Sequence, residues 1–383
     1  MRFSAGVLLG FLVLPCLLYG ADGNVLWPKK KPLFPAIFSF GDSYADTGNY
    51  IIEVDPRPYN FSPYGVTFGR PTGRASDGLL PVDYVADGVG LPFVPPYLDK
   101  TQNFSEGANF AVIGARALDQ TFFLQQNITF AAPMNSSLSV QLRWFEELRP
   151  SLCNTTRDCG DYLGKSLFFV GEIGGNDYLA CLSAKTVEQT KRICVPAVIN
   201  AIAAAAENTQ SLMVWLQSLI QHGARRIVLP GNVPMGCLPA ILTFYPSPNV
   251  SDYDSYGCLR KINALARYHN ELLRRSARAL RIKYPDAKIA FADYYQPVLA
   301  FLRTPELFGF DRNRTLVACC GGGGQYNFNP AAFCGFPGAT ACADPARSVS
   351  WDGIHLTQPA FKNIAKSWLV GPILSVALGL PFV

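Results

Sequence analysis

Histidine is scarce in this chain of 383 residues, with only His222, His269 and His355 present. Any reaction that needs an imidazole base must draw on one of three places. Charge is sparse as well: 16% of residues are charged, the net charge is +5, and the basic residues are scattered. The densest basic run, Lys29 to Lys31, reads as a solvated segment near the N-terminus, so no nucleic-acid partner is expected. No Gly/Ser or Pro-repeat linker, internal repeat or charge block divides the sequence. Length alone would allow two domains at about 150 residues each, yet without a boundary signal the expectation is one large domain over 24–383. Asp-rich and His-rich metal motifs are missing, and so is a dinucleotide fingerprint; neither a metal nor a cofactor is expected. Gly321 to Gly324 form a run of four glycines, but a phosphate cradle needs a preceding strand and a following Lys-Ser/Thr. The segment Cys319 to Pro337 therefore reads as a surface loop tied by disulfides.

What is abundant is apolar: 49% of residues, ample for a sizeable core. Arg2 is followed by an apolar run from Ala5 to Leu18 and then by Gly20 and Ala21. This is the layout of a secretory leader over about residues 1–23, too short for a membrane span. Seven Asn-x-Ser/Thr sequons, at Asn60, Asn103, Asn127, Asn135, Asn154, Asn249 and Asn313, agree with export. Removing the leader takes Cys16 with it and leaves ten of the 11 cysteines, an even number suited to an oxidising compartment. Cys153 with Cys159, Cys181 with Cys194 and Cys237 with Cys258 form local groups. Connectivity among Cys319, Cys320, Cys334 and Cys342 stays open, and the spacings do not make zinc knuckles.

Short apolar runs at Ala36 to Phe40, Ser166 to Val170, Arg226 to Leu229 and Lys288 to Ala292 predict buried strands. Gly107 to Ala115 predicts a tight strand and turn. Between them, helical spacing predicts helices over Val82 to Val89, Val195 to His222, Cys258 to Tyr284 and Tyr294 to Arg303. Alternation of strand and helix implies parallel strands with right-handed crossovers, hence a doubly wound α/β sheet.

Ser43 follows the first strand directly, where the crevice of an open α/β sheet binds ligands. It is a candidate nucleophile, and equally a candidate helix cap. Of the histidines, His222 ends a helix just before Gly223, where a cation complements the macrodipole. His269 falls in mid-helix at an ordinary surface or groove position. His355 remains, with Asp352 three residues earlier across a glycine in WDGIHLT; one turn can bring that carboxylate to the imidazole. Asn176, in GGND after the second clear strand, and Gly114 could donate to the oxyanion of an acyl-transfer intermediate. Each feature alone also has a bland reading as a turn.

Taken in order, FSFGDSYADTGN, FGRPTGRASDG, GANFAVIGA, VGEIGGNDY, LPGNVPMGC, CCGGGGQYNFN and WDGIHLT resemble the GDSL esterase/lipase family, also called SGNH hydrolases, in its plant secreted branch. The likeness runs from Ala36 to Trp368. It implies a flavodoxin-like three-layer α/β/α sandwich. It also implies Ser43 as nucleophile, Ser43, Gly114 and Asn176 as oxyanion hole, His355 as base and Asp352 as its orienting partner. Tyr44 departs from the family name, which has Leu there. Because Ser43 is not in a Gly-x-Ser-x-Gly elbow, an α/β-hydrolase lipase is disfavoured.

The expected activity is a secreted carboxylester hydrolase working through an acyl-enzyme on acylated carbohydrate, lipid or small-metabolite esters. An acyltransferase on the same scaffold and an idle glycan-binding protein are the alternatives. The apolar tail from Trp368 to Val383 is interrupted by Pro372 and Pro381 and reads as core. A monomer without a membrane segment after leader removal is therefore expected.

Overall fold

Strands β1 (Ile37–Phe40), β3 (Leu167–Val170), β4 (Arg226–Pro230) and β5 (Lys288–Ala292) form where the sequence carries its short apolar runs. Such runs, apolar on both faces, suit a sheet covered on both sides. The computed structural model describes residues 31–129, 136–153, 155–203, 215–371 and 376. With β2 (Gly107–Asn109), these strands make one parallel sheet in the order β2-β1-β3-β4-β5. In that order the chain reverses its direction of winding between β1 and β3, the position where doubly wound folds bind ligands. Register places Ser39 beside Phe169 and Phe40 beside Val170. The segments leaving these two strands, one with Ser43 and the other with Asn176, therefore emerge side by side.

Helices cover both faces. In chain order they are α1 (Asn49–Glu53), α2 (Pro81–Gly88), α3 (Gln120–Gln125), α4 (Leu138–Leu152), α5 (Thr156–Lys165) and α6 (Gly175–Leu182). Then follow α7 (Val187–Ala203), α8 (Trp215–Gln221), α9 (Pro239–Phe244), α10 (Arg260–Lys283), α11 (Tyr295–Arg303) and α12 (Gln358–Val370). On one face Phe38, Phe40 and Phe168 meet the ring of Phe145 from α4, with centroids 5.5 to 6.0 Å apart. On the other, Phe169 lies 6.3 Å from Trp368 of α12. This is the three-layer α/β/α arrangement expected from the sequence.

Some boundaries moved. The helix expected over Val195 to His222 begins at Val187, and residues 204–214 of it lie outside the described residues. Its first two turns are polar on the sequence (Glu188, Gln189, Lys191, Arg192), which hides them from a search for apolar spacing. The ten cysteines pair as Cys153–Cys159, Cys181–Cys194, Cys237–Cys258, Cys319–Cys342 and Cys320–Cys334. The last two pairs settle the group left open, and they tie a two-stranded antiparallel ribbon, β6 (Cys320–Gly321) with β7 (Thr340–Ala341). That loop is less superficial than expected. Cys319, Cys320 and Cys334 are buried, and the N–H groups of Cys319 and Cys320 donate to the carbonyls of Ser350 and Trp351 at 3.0 and 2.7 Å.

The leader, Lys29, Lys30, Asn135, Asn154 and all of the tail beyond Gly371 except residue 376 fall outside the described residues. Among the described residues no helix is long and apolar enough to cross a membrane. Trp368, at the start of that tail, has its ring 4.9 Å from Tyr294 and its Nε1 donating to the Asp293 carbonyl at 3.1 Å.

Candidate active site

The turn after β1 begins with Gly41, whose φ of +146° suits glycine and where a Cβ would stand 2.7 Å from the carbonyl oxygen of Glu172. This close approach brings the ends of β1 and β3 together and sets Ser43 over the crevice. Ser43 is not a helix cap, because α1 begins only at Asn49. Asp46 takes that role: Oδ1 accepts from the N–H groups of Gly48 and Asn49 at 2.7 Å, and Oδ2 from Tyr50 at 3.1 Å. The same Oδ2 accepts from the N–H of Ile113 at 2.9 Å, next to Gly114. Burial pushes the Asp46 carboxyl up to about 6 against four backbone donors that pull it down. Asn49 Nδ2 donates to the carbonyls of Asn109 and Ala111, and Asn109 Nδ2 to that of Ala45. The Gly114 turn is thus stitched to the Ser43 turn by buried polar side chains.

Gly114 has φ +81°. Among the described residues, neither its N–H nor that of Ser43 has a hydrogen-bond partner, and the Ser43 hydroxyl has none either. Ser43 and Asn176 border one cavity of about 70 Å³ with an apolar wall that includes Leu179, Val233, Met235, Ile241 and Phe244. Asn176, in the first turn of α6, donates through Nδ2 to the Ala115 carbonyl at 3.0 Å and to Asp42 Oδ2 at 3.3 Å. Asp42, Ser43, Gly114 and Asn176 therefore converge on one end of the sheet.

Asp352 and His355 meet as the D-x-x-H spacing requires. His355 Nδ1 is 2.7 Å from Asp352 Oδ2, and the N–H groups of Ile354 and His355 donate to Oδ1 at 2.9 and 2.8 Å. Both side chains are buried, at 3% and 0% exposure. Burial alone would raise the Asp352 carboxyl, but the facing imidazole and these donors outweigh it and hold it below the usual carboxylate range. Gly353 permits the turn: its φ is +94°, and a Cβ would stand 2.4 Å from the ring of Phe328. Two tyrosines brace this loop. The Tyr64 hydroxyl donates to Asp352 Oδ2 at 2.8 Å, and the Tyr44 hydroxyl to the Ile354 carbonyl at 2.8 Å. Tyr44, beside Ser43, also lies 5.9 Å from the His355 ring, so the departure noted in the motif is where the Ser43 turn grips the His355 loop.

His269 is a correction: it is fully buried and not at the surface. Its Nδ1 is 2.6 Å from the Tyr178 hydroxyl, and burial pulls it down to about 3, so it is neutral. The Tyr178 partner, 91 residues away, gives no sign in the local sequence. His222 lies after α8 as expected, with Ser218 Oγ at 3.3 Å and Glu146 Oε1 at 4.0 Å. Three further groups escaped the sequence reading. Tyr64 lies 288 residues from its carboxylate. Asp42 and Glu172 are a pair of buried carboxyl groups whose partnership exists only once β1 and β3 are adjacent. Among the described residues no cluster of side chains fit to hold a metal ion occurs.

The GDSL-like Lipase/Acylhydrolase family profile matches residues 37–368. The chain belongs to that family. Its relatives include a GDSL esterase/lipase of Arabidopsis thaliana, 43% identical over 371 residues and covering 94% of this chain and 96% of the relative. The sinapine esterase of Brassica napus is 42% identical over 352 residues, 90% of this chain and 87% of its own. Among solved structures, a GDSL-like lipase from Parabacteroides merdae aligns with 92% of this chain and 100% of its own, at 15% identity and a TM-score of 0.37. As a GDSL family member the protein is a hydrolase of carboxylic esters.

Proposed function

We propose that the protein is a secreted serine esterase in which Ser43, His355 and Asp352 form a triad and Ser43, Gly114 and Asn176 an oxyanion hole. The observation that carries this reading is the buried Asp352–His355 pair at 2.7 Å, on a loop gripped by the residue next to an unpartnered Ser43 hydroxyl. Asp352 fixes the imidazole with Nδ1 toward itself and Nε2 free for Ser43. His355 accepts the Ser43 proton as Oγ attacks the ester carbonyl. Oxyanion charge then develops against the N–H groups of Ser43 and Gly114, which no other group among the described residues occupies, and against the Asn176 amide. His355 protonates the departing alcohol, and afterwards activates the water that releases the acid. Catalytic hydrogen bonds are often loose in an empty site, so a Ser43 hydroxyl without a partner fits this role.

The substrate is an acyl group carried on carbohydrate. The cavity beside Ser43, at about 70 Å³, has room for about two waters, or a short acyl chain. Phe244 borders it and stacks edge-on to Phe328 at 5.4 Å. On the far side of this pair lies an open groove of about 890 Å³ bordered by Tyr253, Asp254, Arg260 and Tyr326. Aromatic rings beside charged hydrogen-bonding groups suit the apolar and hydroxyl faces of a sugar leaving group. Export is supported by five disulfides and by the exposure of Asn60, Asn103, Asn127, Asn249 and Asn313, all sequon asparagines. We read residues 1–23 as a cleaved leader and 24–383 as a monomeric single-domain enzyme.

Ser43→Ala should yield folded, secreted protein with about a 10⁶-fold loss of kcat on p-nitrophenyl acetate and on acetylated oligosaccharide. Turnover comparable to wild type would overturn the nucleophile assignment. Activity on the aryl ester with none on acylated carbohydrate would overturn the substrate.

A further inference from the structure

Behind the oxyanion donors lie two carboxyl groups that the triad does not use. Asp42 and Glu172 are 2% and 3% exposed and both border the Ser43 cavity. Their carboxyl groups face each other within hydrogen-bonding reach. Among the described residues, no lysine or arginine forms an ion pair with either. Two facing carboxylates cannot hydrogen-bond without a proton between them, and a buried pair with no cation cannot both ionise without heavy cost. The remaining contacts say which one keeps the proton. Asp42 Oδ1 accepts from the Tyr44 N–H at 3.1 Å and Oδ2 from Asn176 Nδ2 at 3.3 Å, so both its oxygens act as acceptors. Glu172 accepts only from the Gly175 N–H, and among the described residues its Oε1 is buried without a partner.

Asn176 has two N–H bonds to give. One goes to the Ala115 carbonyl at 3.0 Å and the other, longer, to Asp42. The longer one is the donor that can be shared with an oxyanion, and the charge on Asp42 decides how readily.

We propose that protonated Glu172 donates to Asp42, and that this pair, holding one negative charge instead of two, positions the Asn176 amide as an oxyanion donor. Asp42 and Glu172 are then positioning residues, acting through Asn176. A second negative charge at the pair would work against the developing oxyanion, so activity should fall when the shared proton is lost. The inference rests on the assignment of Ser43 and Asn176 above. Burial agrees with it, pushing Glu172 well above the ordinary carboxylate range and Asp42 up to about 7. The groups facing the pair are His355, Asp46 and Asp177, together with Tyr44, Tyr178 and Tyr294.

Glu172→Gln caps the charge at one, because an amide has no acidic proton to lose and can still donate to Asp42. The wild type should lose kcat/KM on p-nitrophenyl acetate on the alkaline side of its profile. The E172Q enzyme should keep most of the neutral-pH kcat and lose that alkaline fall. Asp42→Asn should lower kcat roughly tenfold or more with KM little changed, as expected for an interaction made in the transition state. An E172Q profile with the wild-type alkaline limb, or an unchanged kcat in D42N, would overturn the proposal. Infrared difference spectra, wild type minus E172Q at neutral pH, read the proton directly and need no turnover. A carboxylic-acid carbonyl stretch is expected there, and carboxylate bands alone would overturn the proposal even in a fully active enzyme. Should E172Q not fold, the D42N kcat and KM decide. Failure of the underlying assignment shows separately, as activity retained by S43A.

Discussion

The Ser43 side of this site, proposed to carry the nucleophile, and the His355 side, proposed to carry the base, are held by different physics. Around Ser43 and Gly114 the chain is fixed by buried polar side chains on backbone: Asp46, Asn49 and Asn109 each bridge two segments. Around His355 the same precision comes from aromatic rings and a covalently tied neighbour. Tyr64, Trp351 and Phe328 pack on the loop, and the doubly disulfide-bonded ribbon donates two N–H groups to the Ser350 and Trp351 carbonyls. A polar network holds oriented donors in place, as the proposed oxyanion hole requires, but each member is costly to remove because its partners stay buried and unsatisfied. An aromatic brace is non-directional and tolerates small changes. The base loop needs little more, because its one directional demand, the imidazole orientation, is met locally by Asp352.

The largest effect expected at the base side is therefore on that carboxylate. Asp352→Asn keeps the size of the side chain and the packing, but its amide favours the wrong imidazole tautomer, and kcat should fall about 10⁴-fold. Steady-state kinetics on p-nitrophenyl acetate, with circular dichroism to establish folding, decide this. A loss under about tenfold would mean that the aromatic brace, and not Asp352, orients His355.

On the nucleophile side the matching change is Asn176→Ala. Removing one oxyanion donor costs roughly 10²- to 10³-fold in kcat, about 3 to 4 kcal/mol, with KM little altered. The alanine also leaves the Ala115 carbonyl and Asp42 short of a donor, so a drop in melting temperature should accompany it. A rise in KM at constant kcat would make Asn176 a substrate-binding residue instead.

What the sequence disclosed follows the same division. The placement of Ser43, Gly114 and Asn176 at one end of the sheet, and of Asp352 against His355, was legible because each sits in a contiguous motif at the end of an apolar run or beside a turn glycine. Strands β1, β3, β4 and β5 were legible as short apolar runs. The strand β2, reading Gly-Ala-Asn, carries almost no apolar signal of its own. The long amphipathic helix, expected over Cys258 to Tyr284, is found as Arg260–Lys283, because an apolar stripe is periodic and therefore local. Burial of polar groups is not local. His269 looked like a surface residue until Tyr178 supplied its partner, and the Asp42–Glu172 pair exists only because β1 pairs with β3. Tyr64 stood in a loop with nothing to mark it as the second partner of Asp352.

The smallest effect separates the two tyrosines that brace the base loop. Tyr64→Phe removes the hydroxyl that donates to Asp352 Oδ2, while Tyr44→Phe removes the one that donates to the Ile354 carbonyl. Each loses one hydrogen bond, so each should cost about 1 kcal/mol of stability. Their kinetic signatures should differ. The Tyr64 hydroxyl draws charge from the carboxylate that stabilises the imidazolium, so without it that carboxylate is the stronger partner and the protonated base is favoured. The acid limb of kcat/KM should therefore move to higher pH in Y64F, by a fraction of a unit, and stay put in Y44F. The Tyr44 bond ends on a backbone carbonyl and carries no charge to the imidazole. A pH titration of both variants on one aryl ester makes the comparison directly. Equal shifts in the two would mean that the tyrosines act alike, as packing, and that the directional control of the base loop does not extend beyond Asp352.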